Sequence, residues 1–298
     1  MIQYFLAKET PSREKPVFSI IVPTWNNLEM VKLCVASVLK NSAYKHQIIL
    51  HVNHGADGTL EWAEKAGLDY TFSDQNIGIC LACNAAYSLA KADYIVYLND
   101  DMYVCPEWDL HLLEAIKEYG REDFYFSGTI IERENSGYNC VSAPHNYGTK
   151  PSDFQEERLL REYQKCMIAD WQGANYPPSV MHRRMWDLIG GFSVDFSPGM
   201  YSDPDISMKL WKVGVRNFKG VGSSLAYHFM GKSTERVVKN DGHKQFIRKW
   251  GLSANAFFTH YTKLLNQAKG LAYQGILSDP PATIAHRLQR LLARLKMW

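Results

Sequence analysis

No run of about 18 apolar residues occurs in the 298-residue chain, so nothing in it reads as a membrane span. Met1 to Pro16 is mixed and charged and lacks the apolar centre of a signal peptide. Cysteine is sparse. Of six scattered residues, Cys80 and Cys83 form a lone C-x-x-C, with no second pair and no histidine at zinc spacing. That argues against a zinc or redox site and fits buried thiols in a reducing cytoplasm. An excess of one charge is also missing: 33 basic and 31 acidic residues leave a formal net charge of +2. A dedicated nucleic-acid binder would show a concentrated basic surplus, so none is expected as partner. Internal repeats, low-complexity tracts and a clear linker are absent as well.

What is present is ordinary globular composition, 46% hydrophobic and 21% charged, in a chain long enough for a sizeable core. The first 130 residues alternate strand and helix patterns. Val17 to Val22, Gln47 to Val52, Asp69 to Phe72, Tyr94 to Leu98 and Phe124 to Ile131 read as strands. Leu28 to Leu39, Thr59 to Ala66, Ile79 to Ala90 and Pro106 to Tyr119 read as helices. This alternation predicts an α/β fold with a mostly parallel sheet, helices on both faces and strand C-termini gathered on one edge. The middle is more polar, with one predicted helix at Asp153 to Cys166. Helices follow at Arg183 to Leu188 and Asp205 to Val213, with short strands at Val215 to Phe218 and Ser224 to His228. From Gly242 onward the pattern is mainly helical.

Three places carry chemistry. Asn99-Asp100-Asp101 closes the buried strand YIVYL. Adjacent carboxylates repel, and Mg²⁺ or Mn²⁺ would compensate them; the bland alternative is that the pair only opens a loop. Ser202-Asp203-Pro204-Asp205 precedes a helix. Here Asp203 suits an N-cap and Pro204 the first helical position, while a carboxylate held at a helix mouth can also act as a general base. His228 ends a strand and suits either a structural role or Mn²⁺ ligation. Gly231-Lys232-Ser233-Thr234 is not a Walker loop, because Ala226 occupies the position of the upstream glycine.

The order of these segments resembles the family 2 glycosyltransferases of the GT-A fold. Ser19 to Asn26 is similar to their opening strand and loop, Asp57-Gly58-Thr59 and Asn76-Ile77-Gly78 with Asn84 to their nucleotide-side motifs, and Asn99-Asp100-Asp101 to their D-x-D. Gly190-Gly191-Phe192, Ser202-Asp203 and His228 follow in the family's order, over about residues 17 to 235. The resemblance implies a GT-A domain over residues 1–240, with a nucleotide half (17–130) and an acceptor half (131–240), and a helical extension over 241–298. It implies that Pro23, Thr24 and Asn26 line the nucleotide pocket, with Asn53 beside the base and Asn76 and Gly78 near base and ribose. Asp100 would lie near the donor ribose or metal, Asp101 and His228 would bind Mn²⁺ or Mg²⁺, and Asp203 would be the base of an inverting transfer. Asn99, Asn53 and Ser202 depart from the family's usual acidic residues.

Trp171, with Ser202, is the candidate on the acceptor side, as a platform for a sugar ring or as core beneath the acceptor loop. Ile284 to Trp298 has the pattern of a basic amphipathic helix, suited to peripheral contact with an anionic membrane or to packing, including in a homodimer. The expected activity is transfer of a sugar from a nucleotide-diphosphate sugar donor to a glycan or lipid-linked acceptor, in the cytoplasm or at the inner face of the cell membrane, in surface polysaccharide assembly. A nucleotidyltransferase is disfavoured, since Pro23-Thr24-Trp25-Asn26-Asn27 is no Gly- and Arg-rich phosphate loop. A non-catalytic sugar-nucleotide or glycan-binding protein is the alternative.

Overall fold

The apolar runs assemble into one eleven-stranded sheet. The computed structural model describes residues 5–9, 15–231, 238–265 and 272–280. The strands are β1 (Phe5–Lys8), β2 (Phe18–Trp25), β3 (Gln47–Asn53), β4 (Asp69–Ser73), β5 (Tyr94–Tyr97), β6 (Met102–Val104), β7 (Phe124–Ile131), β8 (Val141–Ser142), β9 (Trp171–Gln172), β10 (Ser179–His182) and β11 (Asn217–His228). The helices are α1 (Leu28–Asn41), α2 (Thr59–Lys65), α3 (Gly78–Tyr87), α4 (Trp108–Tyr119), α5 (Glu156–Glu162), α6 (Arg183–Ile189), α7 (Ser202–Lys212), α8 (Gly242–Trp250) and α9 (Ala254–Phe257).

The order across the sheet is β1-β4-β3-β2-β5-β10-β7-β11-β6, with β8 on β7 and β9 on β11. Strands β4, β3, β2 and β5 are mutually parallel, as the βαβ spacing requires. Strand β10 runs antiparallel to both β5 and β7. It therefore restores the direction, and β7 with its parallel partner β11 points the same way as β5. The C-termini of β2, β3, β4, β5, β7 and β11 thus share one edge, and this edge carries the site. Strand β6 leaves from that edge, pairing antiparallel with β11 so that Met102 faces His228.

Several elements differ from the expectation. The two short strands near residues 215–228 are one strand, β11, with a register shift between Val221 and Leu225. The glycines that interrupt its apolar pattern are needed there, since a Cβ on Gly220 would fall inside the Trp171 ring. Strand β10 has little sequence signal of its own, because it is only four residues long and follows Pro177-Pro178. The helix expected over Asp153 to Cys166 is broken into a 3-10 turn, α5 and a second 3-10 turn.

The main core packs α1, α3 and α4 against the sheet, and Phe246, Phe257, Leu264 and Leu277 belong to the same cluster. These four described residues beyond 240 therefore share the core of the sheet. A second cluster joins Tyr103, Tyr147, Leu159, Tyr227 and Phe229 beneath α5. All six cysteines are free and buried, and burial pushes the Cys80 thiol up to about 12. No helix among the described residues is long and apolar enough to cross a membrane. The segment Ile284 to Trp298 and Lys232 to Thr234 lie outside the described residues.

Candidate active site

The loop after β2 and the loop after β5 are bonded through Asp100. Its Oδ2 accepts from the Thr24 hydroxyl at 2.7 Å and from the Asn27 amide at 3.1 Å. Asn26, with a left-handed φ of 45°, accepts the Ala56 amide at 3.0 Å and lies 3.3 Å from His54 Nδ1. Pro23 sits in β2 opposite His51 of β3, so it is part of the wall behind this loop.

Asn53 closes β3. It is buried, and its side-chain oxygen accepts the Ile77 amide at 2.9 Å. Asn76 accepts the Gly78 amide at 2.9 Å, which turns the chain into α3. Gly78 has φ +76° and lies against Pro198, where a Cβ would come within 2.6 Å of the Pro198 Cα. The next amide, Ile79, donates to the Pro198 carbonyl at 2.8 Å. These residues therefore build the start of α3 and dock it against the loop that leads to α7.

Asp101 and His228 meet at the other end of the site. Oδ2 of Asp101 lies 3.4 Å from His228 Nε2 and accepts the Gly231 amide at 2.8 Å. His228 Nδ1 lies 2.8 Å from Oε1 of Glu132, the residue that follows β7. Burial disfavours the charge on His228, but the carboxylates of Asp101 and Glu132 outweigh it and push its pKa up to about 10. Burial would raise Asp101, yet its contacts with His228 and Gly231 leave it below the ordinary carboxylate value. Glu132 is absent from the sequence-derived candidates, although it follows a buried strand just as Asp100 does.

Asp203 lies in the first turn of α7. It is not the N-cap: the helix starts at Ser202, and Tyr201, with φ 70°, precedes it without a side-chain cap. Oδ1 of Asp203 is sealed from solvent and has no hydrogen-bond partner among the described residues. Desolvation raises its pKa to about 7. Burial, and then the nearby Asp203 charge, push the phenol of Tyr97 at the end of β5 well above its ordinary value, so Asp203 lies within electrostatic reach of that strand end. Asp205 plays a different part. Buried, it accepts from Trp250 Nε1 at 2.8 Å and pairs with Lys249 at 3.0 Å, holding α8.

The two acceptor-side candidates are both bonded within the fold. Trp171 is 2% exposed, and its Nε1 donates to the Thr129 hydroxyl at 2.9 Å beneath β11. It presents no face to a sugar; of the two readings of this residue, filling the core is the one the packing matches. The Ser202 hydroxyl is buried and donates to the Gly199 carbonyl at 2.7 Å, so it fastens the loop before α7. Arg183 and Arg184 are likewise engaged, with the Ala92 carbonyl and Glu122.

A divalent cation can be tested against these groups. No set of three His, Cys, Asp or Glu side chains among the described residues could hold a metal ion alone. Asp101 and His228 nevertheless bring one carboxylate and one imidazole together, and Mg²⁺-type sites commonly take one or two protein ligands and complete their shell with substrate phosphates and water. The donor chemistry fits, provided Nε2 gives up its proton on ligation.

The model of glycosyl transferase family 2 matches residues 19–183, which include the loop after β2, Asp100 and Asp101. The hyaluronan synthase of Pasteurella multocida is 26% identical over 263 residues, covering 87% of this chain and 24% of that protein. The chain thus spans about a quarter of that relative's length. Among solved structures, S. aureus TarS 1-349 in complex with UDP-GlcNAc superposes with a TM-score of 0.54 at 15% identity, covering 78% of this chain and 65% of that one. GalNAc-T7 with UDP, GalNAc and Mn²⁺ gives 0.56 at 15% identity, covering 84% and 51%. At such identity the likeness concerns the fold, which is GT-A.

Proposed function

The chain belongs to glycosyl transferase family 2, and from that premise we propose that it is an inverting, metal-dependent transferase acting on a nucleoside-diphosphate sugar. The observation that carries this reading is Asp203. A partly buried carboxylate, its Oδ1 unpartnered and its pKa near 7, is suited to accept a proton from an attacking hydroxyl. Uridine diphosphate is the nucleotide to test first, since TarS is solved with UDP-GlcNAc and GalNAc-T7 with UDP. The acceptor is a glycan or a lipid-linked glycan of a surface polysaccharide, supported by the relation to hyaluronan synthase.

In this reading Thr24, Asn27 and Asp100 hold the loops around the nucleotide, and Asn53 with Asn76 fixes the turn beside it. Asp101 and His228 hold the cation, which when bound neutralises charge on the diphosphate leaving group. Asp203 takes the acceptor proton as the acceptor oxygen bonds to the anomeric carbon and the bond to the diphosphate breaks. Attack opposite the leaving group inverts that carbon.

The test is Asp203→Asn, assayed for sugar transfer and, separately, for UDP binding by thermal shift with and without Mn²⁺. Transfer should vanish while the shift survives. Persisting turnover would remove Asp203 as base, and a wild type that binds UDP but never turns over would identify a binding protein that retains the fold. Turnover unaffected by excess chelator would remove the cation.

A further inference from the structure

Glu132 stands just beyond the C-terminus of β7 and has no place in the motifs read from the sequence. Its backbone is clamped on both sides: the amide donates to the Ser142 carbonyl at 3.1 Å, and the carbonyl accepts the His145 amide at 2.8 Å. Its side chain is 9% exposed and bonds to one side chain among the described residues, His228, at 2.8 Å. A carboxylate can only accept, so the His228 nitrogen facing it, Nδ1, carries a proton. The other nitrogen, Nε2, is the one turned toward Asp101.

We infer that Glu132 is a positioning residue for the cation site, fixing the ring of His228 so that Nε2 is presented beside Asp101. The inference rests on the metal-dependent reading above. Histidines that bind metals are commonly held through their second nitrogen by a carboxylate, which fixes the tautomer and raises the basicity of the ligating atom. A purely structural tie between β7 and β11 is the competing explanation. Those strands, however, are already joined by a parallel ladder that reaches Tyr227 opposite Ile131. The Glu132–His228 bond lies past the end of that ladder, at the edge where the site opens.

The test compares full-length wild type, Asp101→Asn and Glu132→Gln in a titration with Mn²⁺ alone, followed by electron paramagnetic resonance, alongside the melting temperature of each metal-free protein. Wild type should bind and Asp101→Asn should not. Glu132→Gln should bind roughly 10- to 100-fold more weakly while remaining folded. A folded Glu132→Gln within twofold of wild type, or one that loses only stability, overturns the positioning role and leaves the metal reading intact. A wild type that does not bind Mn²⁺ overturns both. Should Glu132→Gln fail to fold, wild type labelled with ¹⁵N-histidine and loaded with ¹¹³Cd²⁺ decides the matter. Cadmium coupling on Nε2 of His228 with Nδ1 protonated is expected, with His228→Gln assigning the resonance. Coupling on Nδ1, or none on His228, overturns the inference.

Discussion

The side-chain amide of Asn84 pairs with the backbone of Phe192 in both directions: Nδ2 donates to the Phe192 carbonyl at 2.8 Å, and Oδ1 accepts the Phe192 amide at 2.9 Å. Two motif residues 108 positions apart thereby fasten α3 to the loop that delivers Asp203.

Asn84→Ala removes both bonds and leaves the Phe192 backbone groups unpaired. At about 1 kcal/mol for each hydrogen bond, a stability loss near 2 kcal/mol is expected. Because the loop leads into α7, kcat should also fall. Chemical denaturation and steady-state kinetics on the same preparation check both, and a stability loss with unchanged kcat would show that the loop does not position the base.

Thr24→Val removes one neutral donor to Asp100 and leaves that of Asn27 in place. A net loss near 1 kcal/mol corresponds to a donor KM raised roughly fivefold, with kcat little affected. Equal falls in kcat and kcat/KM would instead put Asp100 at the transition state.

The pH response of Asp203 has a definite sign. Its native pKa, about 7, lies above the ordinary value of 3.8, so the folded protein holds this proton more tightly than the unfolded chain. The group therefore has no effect on stability below about pH 4, and its destabilising contribution grows as pH rises through 7. Turnover should rise over the same interval as the base ionises. In Asp203→Asn the stability decline between pH 4 and 8 should be shallower, measured as melting temperature against pH. An identical slope in the variant would mean that the carboxylate titrates near its ordinary value.

Trp171→Ala should behave as a core truncation, costing about 3–5 kcal/mol. Trp171→Phe, which loses the bond to Thr129 but keeps most of the ring, should cost less and leave acceptor KM nearly unchanged. A large rise in acceptor KM for a stable Trp171→Phe would return the indole to the acceptor site.

The first 130 residues were largely legible because their signals are local. Short apolar runs ended by Pro23, by Asn53 or by Asn99-Asp100-Asp101 mark strands of a parallel sheet, and right-handed connections then bring those ends to one edge. Residues 131–240 were less legible. Strand β10 is only four residues long and β9 only two, and both depend on pairing with distant strands. Trp171 could not be assigned from its neighbours, since what covers its ring is Gly220, far along the chain.

The sequence by itself determined the α/β alternation, the gathering of Asp100, Asp101 and His228 at strand ends, and the place of Asp203 beside a helix start, because periodicity and turn chemistry act over a few residues. Only the tertiary structure decided that Glu132 faces His228, that Asn84 holds Phe192, and that the Asp203 carboxyl is desolvated enough to titrate near 7. Hydrogen-bond partners and desolvation are set by what packs around a group, and here those neighbours come from segments tens to more than a hundred residues away.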